Sequence, residues 1–393
     1  MINKKIALGI IFFVFLISTT VSYSYFKNQK EGDFFLSPIK YNPPSFNDTT
    51  NNLSQSLASD NQPKTEECPL NGALYSKTQR EKWEKRRPLG IMVENHVDAR
   101  PQSGLSFADV VYEVVAEGGI TRFLAIYYCQ DASPVGPVRS ARIYFIKLLQ
   151  EYGNYPLYAH VGGANTPGPA DALGEIVKLG WVSYNDLNQF SVPFPYFWRD
   201  YERLPNRATE HTVYTTTPKL WQYAKEKRKL TNVDENGELW NKNFTSWNFK
   251  EDEKRENRGS VSKINFGFWQ SFASDYQVEW LYNKEKNHYE RNNGGKPHLD
   301  KNTNKVITAK NVIVVFAKES PANDGYPGGH LLYQLVGSGK GLLFQDGKSF
   351  KISWIKKDEE SRMKFYDQNG KEVFLVRGSI WIEILPIGNV VNY

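Results

Sequence analysis

Cysteine is almost absent from this chain of 393 residues, which contains only Cys68 and Cys129. With so few thiols, no Cys/His spacing typical of a zinc site occurs, and we expect neither a bound metal nor another cofactor. An oxidising compartment would allow the two cysteines to pair. Because they lie far apart in the sequence, two unrelated thiols are an equal alternative.

A block of basic residues is also missing. The formal net charge is +6 and the pI is about 8.9, yet Lys and Arg are interleaved with Asp and Glu along the chain. This pattern argues against a nucleic-acid partner. It is consistent with an anionic partner such as a cell-wall polymer or lipid headgroups, and it indicates no particular protein partner.

Two common enzyme signatures are missing as well. Neither Ser103 nor Ser140 lies in a Gly-x-Ser-x-Gly elbow, so serine hydrolysis has little support. The run Gly337-Ser338-Gly339-Lys340 lacks the complete Gly-x4-Gly-Lys-Ser/Thr pattern and lies between two predicted strands. We therefore do not expect a phosphate-binding loop there.

The chain does have an uncharged run over residues 6 to 26, long enough to cross a bilayer and preceded by Lys4 and Lys5. This run is either a membrane anchor or a signal peptide. Aromatic residues at its end, and the lack of a small-x-small cleavage site, favour an uncleaved anchor. The preceding lysines then predict a single-pass protein of the cell membrane, with its folded domains outside the cytoplasm.

Composition divides the chain into five segments. Residues 1–30 hold the anchor or signal, and residues 31–67, rich in Asn, Ser, Thr, Asp and Pro, are predicted to be a flexible tether. Alternating strand and helix patterns predict an α/β-layered domain over 68–225. A highly charged linker over 226–259 precedes turn-separated strands that predict a mostly antiparallel β domain over 260–393. The expected fold class is α+β.

Polar residues repeatedly interrupt the strand-like sequence between residues 88 and 163. Because a buried polar group needs a partner to offset its desolvation, we interpret these residues as the lining of a cleft. His211, later in the chain, is added because its strand-like context is similar to that of His160. The candidate binding residues are Glu94, Asn95, Arg100, Gln102, Ser103, Arg122, Arg139, Ser140, Arg142, His160 and His211.

The arginines in this set suit an anionic ligand. Arg139 and Arg142 fall in or near the first turn of a helix predicted after Pro137, where free backbone N–H groups would add to their charge. Arg100 and Arg122 could join them. Taken singly, each arginine is better explained by a structural ion pair, and a lone histidine is usually structural too.

Glu117 is the candidate catalytic residue. It precedes Gly118-Gly119, the predicted turn of a hairpin, where partial desolvation would raise its pKa toward that of a useful general acid. The alternative is a structural pair with Arg122. A lytic transglycosylase could work with this single acid, whereas a conventional glycoside hydrolase needs a second carboxylate. The candidates for that second carboxylate are Glu94, Asp109 and Glu113.

Several long motifs, in order, resemble the YerB-like family of bacterial lipoproteins. In the first half they are Val-Glu-Asn-His, Ala-Arg-Pro-Gln-Ser-Gly-Leu, Glu-Gly-Gly-Ile-Thr-Arg and Gly-Pro-Val-Arg-Ser-Ala-Arg; in the second half they include Tyr-Glu-Arg-Asn-Asn-Gly and Leu-Val-Gly-Ser-Gly. The resemblance covers about everything after Cys68 and implies a two-domain envelope protein of poorly defined function. Family members commonly end their signal with a lipid-modified cysteine, whereas here no cysteine follows the apolar run before Cys68. The tether is therefore expected to be proteinaceous.

Two functions remain open at this stage. In the first, the membrane-anchored chain binds peptidoglycan or another anionic wall polymer outside the cytoplasm and cleaves glycan with Glu117 as general acid. In the second, it is a non-catalytic binding or scaffold protein of the envelope. The resemblance does not distinguish these two functions, because a fold does not by itself supply an activity.

Overall fold

The computed structural model describes residues 62–271 and 273–393. The predicted anchor and nearly all of the predicted tether lie outside the described residues. Within the described ranges, every helix is too short or too polar to span a bilayer. Residues 62 to 393 form one compact unit.

Strands dominate the described residues, and helices are few. The helices are α1 (Lys77–Trp83), α2 (Ile143–Leu149), α3 (Ala172–Lys178), α4 (Thr217–Arg228) and α5 (Ala273–Tyr276), with 3-10 turns at Val97–Ala99, Leu105–Phe107, Gln150–Tyr152, Thr209–His211 and Arg255–Asn257. The strands of the first half are β1 (Glu66–Glu67), β2 (Leu74–Tyr75), β3 (Leu89–Glu94), β4 (Val110–Glu117), β5 (Ile120–Tyr127), β6 (Leu157–His160), β7 (Asp186–Asn188), β8 (Phe197–Arg199) and β9 (Val213–Thr215).

The second half continues the strand numbering. Its strands are β10 (Asn248–Lys250), β11 (Lys263–Phe266), β12 (Val278–Asn283), β13 (His288–Asn293), β14 (Lys296–Pro297), β15 (Leu299–Asp300), β16 (Lys305–Val306), β17 (Thr308–Ala309), β18 (Asn311–Pro321), β19 (Leu331–Gln334), β20 (Gly337–Gln345), β21 (Lys348–Lys356), β22 (Lys364–Tyr366), β23 (Phe374–Val376) and β24 (Ile380–Pro386).

One mixed sheet contains strands from both halves of the chain. Its order is β22-β21-β20-β18-β24-β4-β5-β3-β6-β7, and β19 pairs with β18 beside this path. Strand β24 runs parallel to both β18 and β4, which places Glu383 opposite Glu113. The end of the chain thus completes a sheet that begins near residue 89. The proposed domain limits and the linker over 226–259 stay predictions.

The hairpin predicted around Gly118-Gly119 is confirmed. Strands β4 and β5 pair antiparallel, with an irregular register between Val115 and Glu117. Both turn glycines have positive φ, +58° and +80°, a conformation in which other residues are strained. Helix α2 begins at Ile143 with Arg142 as its N-cap, in extended backbone, so Arg142 adjoins the first turn as predicted. Arg139 does not, because it precedes the helix and its N–H bonds the Met92 carbonyl.

A smaller antiparallel sheet packs onto the large sheet with an inward face that is mostly apolar but carries Arg291 and Asn293. Strands β11, β12, β13 and β14 follow one another in it, and β17 pairs with β13. Burial alternates along β13, so Tyr289, Arg291 and Asn293 point inward while their neighbours are half-buried. This period of two is what a half-exposed strand requires, and it directs Arg291 toward the large sheet.

Cys68 and Cys129 form a disulfide with a Cα–Cα distance of 6.0 Å, which settles the alternative that the sequence left open. Asp109 is fully buried beside this bond. One of its carboxylate oxygens accepts hydrogen bonds from the backbone N–H groups of Tyr128 and Cys129, at 2.7 and 2.9 Å. Burial nevertheless raises the pKa of Asp109 to about 7. The disulfide ties the segment around Cys68 to the residues just after β5.

Candidate functional site

A continuous row of polar contacts lies where β3, β5 and the segment before α2 meet. Glu94, at the end of β3, is directly opposite Arg122 on β5, and Val138 forms a bridge to Val93 that brings the following segment alongside. We call this set the charged row. Its members are His96, His211, Glu94, Arg139, Ser140, Arg122, Glu117 and Arg142, in order of contact.

At one end of the charged row, Glu94 connects Arg139 to His211. Its two oxygens lie 3.0 Å from Arg139 Nε and 2.8 Å from His211 Nδ1. The hydrogen bond to Glu94 raises the pKa of His211 above its ordinary value, against the effect of burial. Glu94 is itself buried, whereas the Arg139 side chain keeps 26% of its surface exposed. Arg139 is thus the accessible cation of this pair.

Glu117 lies at the other end, between two arginines. Arg142 Nε donates a hydrogen bond to one of its oxygens, and Arg122 Nη2 lies 3.5 Å from the other. Burial opposes ionisation of Glu117, but the hydrogen bond from Arg142 and the charge of Arg122 outweigh it, so its pKa is lowered. The expected rise in pKa is therefore wrong. The alternative, a structural pair with Arg122, is confirmed, with Arg142 as a second partner.

Arg122 links the two ends of the charged row. Its Nη1 donates to the carbonyl oxygen of Ser140 at 3.3 Å, and among the described residues its buried Nε has no hydrogen-bond partner. Burial, with the nearby charge of Arg142 acting the same way, lowers its pKa to about 10. The guanidinium is therefore incompletely hydrogen-bonded. The row holds three arginines against two glutamates.

Asn95 and Gln102 do not line a cleft, contrary to the expectation from the sequence. Both are fully buried. The Asn95 amide donates to Glu113 and Thr121, and its oxygen accepts from Gln102 at 3.0 Å. Gln102 Oε1 in turn accepts from His298 Nε2 at 2.8 Å. These polar side chains are core residues, because partners from β4, β5 and the second half satisfy them.

Arg100, Ser103 and His160 are likewise engaged by the fold. Arg100 Nη1 donates to the Asp275 carbonyl at 2.7 Å, and the Ser103 hydroxyl accepts from Arg203 Nε at 2.7 Å. The ring nitrogens of His160 lie 2.7 Å from the Gly162 carbonyl and 2.7 Å from an Asp186 oxygen. Each contact occupies the groups that a ligand would need, so we remove these three residues from the accessible site.

The second carboxylates considered for hydrolysis are also occupied. Glu113 is fully buried and accepts a hydrogen bond from Arg291 Nη2. Asp109 is enclosed beside the disulfide, as described above. Glu94 is held by Arg139 and His211. None of these carboxylates is free to activate water beside Glu117 in the described residues.

Two exposed aromatic side chains near the charged row were not singled out from the sequence. Phe190, 75% exposed, packs against Gly162, whose carbonyl accepts from the Ala141 N–H between Arg139 and Arg142. Tyr326, 43% exposed, stacks on His330 with 4.1 Å between ring centroids, and the charge of His330 contributes to the lowered pKa of Glu117. The aromatic, proline-rich composition of residues 185–207 is a sequence signal for a binding loop around Phe190, but only the fold connects either loop to the row.

Comparison with known proteins agrees with the motifs. Residues 75–231 match the model described as "Protein of unknown function (DUF3048) N-terminal domain", and residues 269–382 match that of the corresponding C-terminal domain. The chain is 33% identical over 320 residues to a Bacillus subtilis (strain 168) protein named "Putative lipoprotein YerB", an alignment covering 81% of this chain and 86% of the relative. The chain belongs to the YerB family. The crystal structure of YerB from Bacillus subtilis matches it with a TM-score of 0.66 and 29% identity, over 84% of this chain and all of that one.

Proposed function

We propose that this YerB-family chain is an extracytoplasmic envelope protein that binds an anionic glycan of the cell wall, either peptidoglycan or another wall polymer, at the charged row. The buried disulfide supports this location, because such bonds persist in oxidising compartments outside the cytoplasm. The description of the Bacillus relative as a lipoprotein supports it as well.

The observation that carries the proposal is the placement of Arg139. Its guanidinium is partly exposed and has one carboxylate partner, so it can also bind a carboxylate or phosphate of a ligand. Phe190 and Tyr326 present exposed rings near the same row, and flat apolar faces beside polar groups are typical of binding surfaces. A polymer of sugars with acidic substituents has both complementary features.

Glu117 has a supporting role in this proposal. A carboxylate whose pKa is lowered by two arginines stays ionised near neutral pH and does not donate a proton efficiently. It instead orients Arg122 and Arg142 beside Arg139. Binding without cleavage is thus the function that the geometry supports best.

The test is to incubate the full chain, in detergent, with purified bacterial walls and to measure both co-sedimentation and the released muropeptides. We expect the protein to sediment with walls and to release no anhydro-sugar or new reducing ends. Glu117-dependent products, absent with Glu117→Gln, would instead establish glycan cleavage. Failure of the unaltered chain to sediment with walls would contradict the proposal.

A further inference from the structure

At one end of the charged row, two histidines and an aspartate come together although His96 and His211 are far apart in the sequence. One ligand atom from each of His96, Asp98 and His211 lies within 4.8 Å of the other two. The two rings stack with 4.9 Å between centroids. From this geometry we infer a binding site for a divalent transition metal of the zinc type, held by His96, Asp98 and His211.

The environment of His211 fits a metal ligand. Its Nδ1 is engaged by the Glu94 carboxylate at 2.8 Å, which fixes the ring and leaves Nε2 as the ligand atom. A carboxylate behind a metal-binding imidazole is the usual second partner in such sites, because it sets the tautomer and raises the basicity of the ligand nitrogen. His211 is buried on a 3-10 turn, so its position is well defined.

His96 and Asp98 would have to move for all three ligand atoms to reach one metal ion. Ligands around a tetrahedral zinc ion lie roughly 3.4 Å apart, given bonds of about 2.1 Å. The present separation is somewhat larger, and the stacked rings do not yet converge on one point. Both side chains are partly exposed, at 31% and 49%, on either side of Val97 in a short 3-10 turn. Rotation about their χ angles can move these atoms toward the ion without moving the sheet, at the cost of the hydrogen bond that His96 Nδ1 accepts from the Asp98 N–H.

The ligand types select the metal class. Two imidazoles and one carboxylate suit zinc and its neighbours in the first transition series, whereas calcium and magnesium prefer oxygen ligands alone. Three protein ligands also leave a coordination position open. Arg207 lies 3.3 Å from one Asp98 oxygen, so metal and Arg207 share this carboxylate, and the site should bind an exchangeable ion.

Titration of the metal-free full chain with ZnCl2 by calorimetry, and with CoCl2 by visible absorption, tests the inference. We expect one ion per chain, tetrahedral cobalt bands, and no comparable binding of magnesium. His96→Ala should weaken zinc binding at least tenfold while the melting temperature of the metal-free protein stays close to that of the parent. Asp98→Asn is a second surface variant with the same expected direction.

His288→Ala is the matched control, because His288 is also a partly exposed histidine beside a carboxylate, Glu290 at 3.2 Å. It should leave zinc binding unchanged. No zinc uptake by the parent chain, or uptake that survives both His96→Ala and Asp98→Asn, would overturn the inference. Loss of zinc binding in the His288 variant would place the site elsewhere.

Discussion

At the scale of single residues, the arrangement around Glu117 shows how two buried cations change the chemistry of a carboxylate. Arg122 and Arg142 each lose hydration on folding, and Glu117 is their shared counter-ion. The same contacts that hold the arginines in place lower the pKa of the carboxyl. The Glu117 carboxylate therefore stabilises the two charged arginines and is poorly suited to donate a proton.

The first prediction concerns the stability of Glu117→Gln. At pH 7 we expect the free energy of unfolding to fall by about 2 kcal/mol, because both arginines remain buried without their carboxylate. The pKa of Glu117 is lowered on folding, so its contribution is present above the ordinary value near 4.5 and is lost as pH falls through the lower folded value. Urea denaturation should therefore show the stabilities of the two proteins converging as the pH falls below 4.5.

Glu285→Gln serves as the control for this experiment. Glu285 also pairs with an arginine, Arg255, but both side chains are exposed, so the change should be undetectable. A Glu117→Gln effect that persists undiminished at low pH would contradict the ionic explanation.

Residue types and local patterns were enough to find every member of the charged row except His96, but not to separate these residues from the core. Arg139 is partly exposed, whereas Glu94, Arg122 and Arg142 are largely buried with their ion-pair partners and Asn95 belongs to a buried network, although all come from the same stretch of sequence. The difference depends on partners such as His298 and Arg291, which are distant in sequence. Because a buried polar group is stable only with its partner, its location is decided by the tertiary fold.

At the scale of elements, the buried network joins strand β13 to strands β4 and β24. Arg291 donates to Glu113 and lies 3.8 Å from a Glu383 oxygen, and all three side chains are fully buried. Burial and the neighbouring Glu113 raise the pKa of Glu383 well above its ordinary value. In this network one guanidinium, that of Arg291, faces the carboxyl groups of Glu113 and Glu383, which are not both ionised at the same time.

The second prediction is that Arg291→Met destabilises the protein by roughly 3 to 5 kcal/mol, because it leaves the buried Glu113 charge without a cation. The measurement is urea denaturation of both proteins at pH 7. Adding Glu113→Gln should restore part of the loss, since the uncompensated charge is removed. Equal stability of the single variant and the parent would show that the pair contributes no net stability.

The third prediction concerns the disulfide between Cys68 and Cys129, which are 61 residues apart. Replacing both with serine should lower the free energy of unfolding by about 4 kcal/mol, as expected from the entropy of an unfolded loop of that length. Thermal unfolding of the two proteins, without reductant, gives the comparison. A much smaller loss would mean that the core around Asp109 fixes this region without the bond.

At the scale of the whole molecule, one sheet contains strands from both halves of the chain, which should keep the halves together after the backbone between them is cleaved. The longer strands β18, β20, β21 and β24, and the β4–β5 hairpin, follow from turn signals and alternation in the sequence, whereas β11, β12 and β13 were not predicted. The pairing of β24 with β4 does not, because parallel strands from opposite ends of a chain leave no local signal. This pairing is what places the halves in one sheet.

The fourth prediction is that limited proteolysis within the charged segment 226–259 leaves two fragments that stay associated. The strand pairing and the Arg291 network hold them together across the cut. Size-exclusion chromatography of the nicked protein should show one peak containing both fragments, which separate only in denaturant. Elution of two folded fragments at separate volumes would contradict this account.

The most direct test of the proposed function is the salt dependence of wall binding by Arg139→Ala. The full chain and the variant are sedimented with purified walls from about 50 to 300 mM NaCl, together with Arg255→Ala, whose exposed arginine lies in its own surface ion pair. We predict that Arg139→Ala binds at least several-fold more weakly at low salt and responds less to added salt, because one accessible cation is lost. Arg255→Ala should match the parent protein. Wall binding unchanged by Arg139→Ala, in both strength and salt response, would contradict the assignment of the charged row as the binding site.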